Sequence, residues 1–211
     1  MKKLKRETIF TDFIYVFTAS DDLLKKSCEY VNGLKWFPNA KNYMSGTGPF
    51  SPKIEESKFI RNFFNECLEE VRKDLKLMCP ELKATSIWAN KSHKRNWHHG
   101  HIHPNSWASG IFYLTPSGST TWMSRDHFWK TDSSTGSVLD ILMKKGANQI
   151  YRCKSEPGKL VIFPSHLWHS VNEHDTNNPR YTISFNSFPS GTMSVGNKST
   201  TDLTVINLKI E

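Results

Sequence analysis

The chain has 211 residues, with 28 Lys plus Arg against 20 Asp plus Glu, a formal charge of +8 with its histidines neutral. That length suits one compact domain with a sizeable core, no apolar run is long enough to span a bilayer, and the basic N-terminus is not followed by the apolar stretch of a signal peptide. Cys28, Cys67, Cys79 and Cys153 are scattered and form no CxxC pair, which argues for reduced thiols in a cytoplasmic setting rather than a disulfide framework.

Two helices are expected first. From Ser20 the segment SDDLLKKSCEYVNG offers an N-capping serine, early acids, apolar Leu23, Leu24, Cys28 and Val31, and a terminating Gly33. After Ser51-Pro52, Ile60, Phe63, Phe64, Cys67, Leu68, Val71 and Leu75 recur at steps of three and four, and Cys79-Pro80 closes the pattern. Beyond Pro80 the helical period disappears. Short β-prone segments replace it at 84–89, 99–103, 107–114, 120–123, 149–153, 159–163, 181–185 and 203–208, separated by Gly, Pro, Ser and Asn clusters. The expected architecture is mainly β, a sandwich or jelly-roll with an N-terminal helical layer. It forms a single domain over 1–211, with a helical part at 1–80 and a β core at 81–211.

The chemistry concentrates in His98-His99-Gly100-His101-Ile102-His103 and in a later His169. On a regular strand His99, His101 and His103 share one face, with His98 on the other. A histidine from a distant strand can complete a metal site there, and neutral imidazole suits iron, zinc, copper and nickel. No Asp or Glu lies between Glu81 and Asp126, so this segment cannot add a carboxylate. In EPGKLVIFPSHLWHSV, Gly158 starts a buried strand, Pro164 ends it, and His169 is a better ligand candidate than the turn residue His166. Arg180 then opens the strand RYTISFN, where a guanidinium can grip a carboxylate through two parallel hydrogen bonds. Trp97 and Trp107 flank the first motif as candidate pocket walls.

The pairing of HIHPNSWASGIFYL with PGKLVIFPSHLWHSV and RYTISFN resembles the 2-oxoglutarate/Fe(II) oxygenases of marine phages and bacteria, within the double-stranded β-helix dioxygenase superfamily. The resemblance runs from about Trp88 to the C-terminus, including Gly191, Gly196 and Asp202-Leu-Thr. It implies His101, His103 and His169 as Fe(II) ligands and Arg180 as the anchor of the distal carboxylate of 2-oxoglutarate, assisted by Thr182 and Tyr113. The implied reaction is oxidation of a substrate with release of succinate and CO2. One departure stands out: the usual His-x-Asp/Glu motif has His103 in its acid position. Either His103 completes a three-histidine centre, or it supports the site without ligating.

Two other readings stand beside this one. A cupin-like metalloenzyme that needs no 2-oxo acid fits His101, His103, Gly158, Pro164 and His169, but lacks the cupin glutamate and has no use for Arg180. A non-catalytic β-fold accessory protein is the other. The substrate class (peptide, nucleic acid or small molecule) is open, the basic charge favours anionic partners, no membrane role is expected, and a phage-encoded chain would work in the host cytoplasm.

Overall fold

The protein is described by a computed structural model over residues 5–9, 12–40, 43–45, 57–116, 119–123, 150–193 and 203–205. Ser51-Pro52, Gln149, Gly196, Asp202 and 206–208 lie outside these residues, as does Asp126. Helix α1 (Asp21–Asn32) starts at Ser20, whose Oγ accepts from the Leu23 amide at 3.3 Å, with Asp21 and Asp22 in the first turn. Helix α2 (Lys58–Asp74) buries Ile60, Phe63, Phe64, Cys67, Leu68 and Val71 along one stripe, as the period-3.6 pattern requires.

The strands in chain order are β1 (Lys5–Ile9), β2 (Asp12–Thr18), β3 (Phe37–Ala40), β4 (Tyr43–Ser45), β5 (Glu81–Ser92), β6 (His98–His101), β7 (Ala108–Tyr113), β8 (Ser119–Met123), β9 (Ile150–Lys154), β10 (Lys159–Pro164), β11 (Trp168–Val171), β12 (Arg180–Met193) and β13 (Leu203–Val205). A large antiparallel sheet runs β1-β2-β10-β7-β12-β5-β4-β3, with β13 added to β12, and a small one runs β6-β11-β8-β9. The N-terminal part is therefore not only helical: β1 to β4 extend the large sheet at both of its edges. In β2 the run Ile-Tyr-Val-Phe hides its strand period, because both faces are covered. Ile14 and Val16 face the small sheet, while Tyr15 and Phe17 join the cluster under the helices.

The same two-sided burial explains β7, where every residue is buried. Phe112 packs under α2 against Phe63 and Phe64, with ring centroids at 5.5 and 6.2 Å, and Phe64 lies 4.5 Å from Phe185 of β12. Ile111 and Tyr113 point the other way, toward Val161 and Phe163 of β10. Gly110 leaves room for this layer, since a Cβ there would sit 2.2 Å from the Phe185 ring. Each central strand thus has a greasy face under the helices and a second face turned to the space between the sheets. On β5 and β12 that second face is polar, and there the site is built.

A candidate metal and cosubstrate site

His101 and His169 stand opposite each other on paired strands, β6 and β11. His103 lies just past the end of β6, where its backbone amide donates to the Ser165 carbonyl at 3.0 Å. The ligand nitrogens of these three histidines all lie within 4.8 Å of one another. His103 Nε2 is 3.1 Å from His169 Nε2, and the two rings are parallel to within 4°.

The strand that carries the motif is not regular. Between His169/Val171 on β11 and His101/His98 on β6 the register shifts, so β6 holds an extra residue against its partner. This bulge turns His98 to the same side as His101 and leaves His99 exposed, which reverses the face assignment expected from strict alternation. The cause is Gly100: the Trp168 indole lies against its backbone, and a Cβ there would fall 1.4 Å from a ring carbon.

Hydrogen bonds set the tautomers. His169 Nδ1 faces the Leu167 carbonyl at 3.0 Å and His101 Nδ1 faces the His99 carbonyl at 2.9 Å, so in each case Nδ1–H donates and Nε2 keeps its lone pair. The His103 imidazole has the Asn186 side chain as its hydrogen-bond partner. Asn186 Oδ1 also accepts from Ser109 Oγ at 2.9 Å, and Ser109, Ser165 and Ser106 form a hydroxyl chain behind it at 2.8 and 2.7 Å. Burial, and after it the neighbouring imidazoles, pushes all of these rings toward the neutral form. His103 is lowered to about 4 and His169 falls well below the usual histidine range.

The cavity in front of the histidines, ≈ 250 Å³ in volume, continues to Arg180, which is 5% exposed. Pairing sets its walls in rows across the large sheet. Arg180 is level with Ser92, Thr182 with Asn90 and Tyr113, and Ser184 with Trp88 and Ile111. Arg180 Nη2 donates to Ser92 Oγ at 3.3 Å, and among the described residues no carboxylate pairs with it. Burial lowers its pKa, with the Tyr113 phenol opposing that shift. Thr182 Oγ1 accepts from Asn90 Nδ2 at 3.3 Å, and the buried Tyr113 hydroxyl donates to Thr120 Oγ1 at 2.7 Å.

Arg180, Thr182 and Tyr113 therefore line one cavity with His101, His103 and His169. Trp97 stands at its opening, but Trp107 does not reach it and instead borders a second, apolar cavity on the far side of His103. Trp88, Asn90, Ser92, Ser184 and Asn186 escaped the sequence reading. Their signal was alternation, since Trp88, Asn90 and Ser92, like Arg180, Thr182, Ser184 and Asn186, occupy every second position of their strands.

A family model described as "Putative 2OG-Fe(II) oxygenase" matches residues 86–186, which span both histidine motifs and Arg180. Over this stretch, just under half of the chain, the protein resembles the 2OG-Fe(II) oxygenases. No curated protein matches it in sequence. In structure the chain is similar to HygX from Streptomyces hygroscopicus with nickel and 2-oxoglutarate bound, at 11% identity over 83% of this chain and 82% of that one, TM-score 0.60. It is also similar to an oxidoreductase of the 2OG-Fe(II) oxygenase family from Burkholderia pseudomallei (11% identity, 82% and 83% covered, TM-score 0.61). A third is a Pseudomonas putida prolyl-4-hydroxylase (12% identity, 86% and 95% covered, TM-score 0.58). At such identities these likenesses establish the fold, a double-stranded β-helix.

The matched family's metal and cosubstrate are Fe(II) and 2-oxoglutarate, and the residues of this chain fit both. Two imidazole nitrogens about 2.1 Å from one ion lie about 3 Å apart when their bonds meet near a right angle, close to the His103–His169 spacing. A buried guanidinium without a carboxylate partner among the described residues is a built receptor for one.

Proposed function

We propose that this protein is a dioxygenase that hydroxylates a C–H bond of its substrate, with His101, His103 and His169 holding Fe(II) and Arg180 holding 2-oxoglutarate. Fe(II) and 2-oxoglutarate, when bound, supply the oxidative chemistry: O2 places one atom in the substrate C–H bond and the other in succinate, with loss of CO2. The protein's own part is placement. His169 and His101 present Nε2 because their Nδ1 protons are occupied by backbone carbonyls. Arg180 fixes the far end of the 2-oxo acid, with Ser92 steadying the guanidinium and Thr182 and Tyr113 completing the polar end. Trp88 and the aliphatic walls limit water beside the imidazoles.

The observation that carries this reading is a single cavity with three converging imidazoles and a buried arginine that lacks a carboxylate partner among the described residues. A cupin-like enzyme would leave Arg180 unused. The test is an anaerobic Fe(II) titration with and without 2-oxoglutarate, following the metal-to-ligand charge-transfer band of the ternary complex. Arg180→Ala should bind Fe(II) as the parent does while its affinity for 2-oxoglutarate falls by about a hundredfold, the scale of a lost charge-assisted pair. Arg180→Lys should recover part of that loss. A parent protein that binds iron but gives neither the band nor succinate would defeat the proposal.

A further inference from the structure

The strands that enclose the site carry almost no acid. Across β5 to β12 the one acidic side chain is Glu81, at the far start of β5, where it is exposed and paired with Lys83 at 2.7 Å. Among the described residues no Asp or Glu lines the cavity. Its opening is flanked by the turn His93-Lys94-Arg95-Asn96, three of whose residues are exposed and basic or titratable. Trp97, 43% exposed, follows this turn. Two backbone bonds tie the turn to the neighbouring loop, Arg95 N to His174 O at 2.7 Å and His174 N to Asn96 O at 2.9 Å, and exposed Glu173 and Asp175 on that loop offset Lys94 and Arg95, so the entrance has no strong charge of either sign.

Resting on the function proposed above, the charge of the loaded cavity follows from its own residues. The metal brings two positive charges, and the three histidines bring none, since a ligating imidazole must be neutral. Two negative charges come with 2-oxoglutarate, one of them matched by Arg180. One positive charge is left over beside the reacting position. Among the described residues no carboxylate in the wall balances it, and an unbalanced charge in a largely enclosed site is costly. A carboxylate at position 103 would have removed it.

We propose that the balancing charge belongs to the substrate: the natural substrate carries a carboxylate or a phosphate close to the carbon that is oxidised. The acid-free strands favour such a molecule inside the cavity over a neutral or cationic one of similar shape. Neutral and cationic molecules of similar shape gain nothing from this field.

The experiment uses the full chain loaded anaerobically with Co(II) and 2-oxoglutarate, whose visible d–d spectrum reports any change next to the metal without turnover. Formate, inorganic phosphate, acetamide and methylammonium are titrated at matched ionic strength. Formate or phosphate should shift the spectrum at about millimolar concentration. Acetamide and methylammonium should leave it unchanged, and comparing formate with phosphate tells which anion the cavity prefers. In His103→Asp, which keeps a ligand but cancels the surplus charge, the anion response should weaken at least about tenfold. Trp97→Glu, altered at an exposed position, should weaken it as well and serves if the first variant does not take up cobalt. A wild-type cobalt–2-oxoglutarate complex that ignores both anions, or answers acetamide equally, overturns the inference while leaving the dioxygenase reading intact. Failure of that complex to form removes the dioxygenase reading, and the inference falls with it.

Discussion

His103 is held from two directions. Its backbone is bound to Ser165, and its imidazole lies between His169 and the Asn186 side chain. The other two imidazoles donate their Nδ1–H to backbone carbonyls, which no side-chain substitution removes. Asn186 is therefore the one partner that can be tested by changing a side chain. Asn186→Leu should weaken Co(II) binding about 10- to 100-fold, the usual cost of losing such a partner. Asn186→Asp keeps an acceptor and should retain the metal. Competition with a chelating dye checks both, and Ser109→Ala provides the contrast: it breaks the hydroxyl chain but leaves the amide in place, so it should lower Tm without changing metal affinity. His101, His103, His169 and Arg180 could be picked out from the sequence because rare residue types stand at telling spacings. Asn186 could not, because an asparagine at the end of RYTISFN is unremarkable until the strand pairing brings it behind His103.

At the level of the element, the bulge in β6 decides which histidines look inward. Regular alternation would have paired His99 with His101. The extra residue instead brings His98 and His101 to one side, and it exists because Trp168, on another strand, occupies the space above Gly100. Local sequence holds the glycine but not the indole, so the register was out of reach of any reading of the motif alone. Gly100→Ala should force Trp168 out or straighten β6. We expect a loss of about 1–3 kcal/mol in unfolding free energy, the range for overpacking, together with weaker Co(II) binding, while 2-oxoglutarate contacts at Arg180 persist. A variant as stable and as metal-competent as the parent would show that the glycine is dispensable. The long helices were legible for the opposite reason: their apolar stripes meet a single core, and period alone reveals them. Strand β2 was hidden because both of its faces are buried.

For the whole molecule, four imidazoles kept out of water make stability depend on pH. In the metal-free protein burial, then neighbouring imidazoles, depress His98 and His103 from 6.5 to about 4. The folded state therefore refuses protons that the unfolded chain accepts between those two values. Stability from these rings is greatest above about pH 6.5 and declines as pH falls toward about 4, and His169, held well below the usual range, continues that decline. Urea unfolding of the metal-free chain across this range should show the slope, and loading with Zn(II) should shift its onset to lower pH, since protons must then compete with the ion. A flat profile between pH 7 and 4 would contradict the burial of these rings.

The position of the histidines along the chain also has a consequence in time. His103 and His169 are 66 residues apart, and they meet only after β6 has paired with β11 and the turn at Ser165 has closed on the first motif. An ion held by all three histidines is therefore expected to bind after these long-range contacts form rather than to template the early steps of folding. In kinetic terms, Zn(II) should leave the refolding rate of the chain nearly unchanged and slow its unfolding, because the contacts it adds are absent from the transition state. Stopped-flow traces with and without the ion would show whether loading follows folding, and if it does, supply of iron in the cell is a matter of access past Trp97 rather than of synthesis.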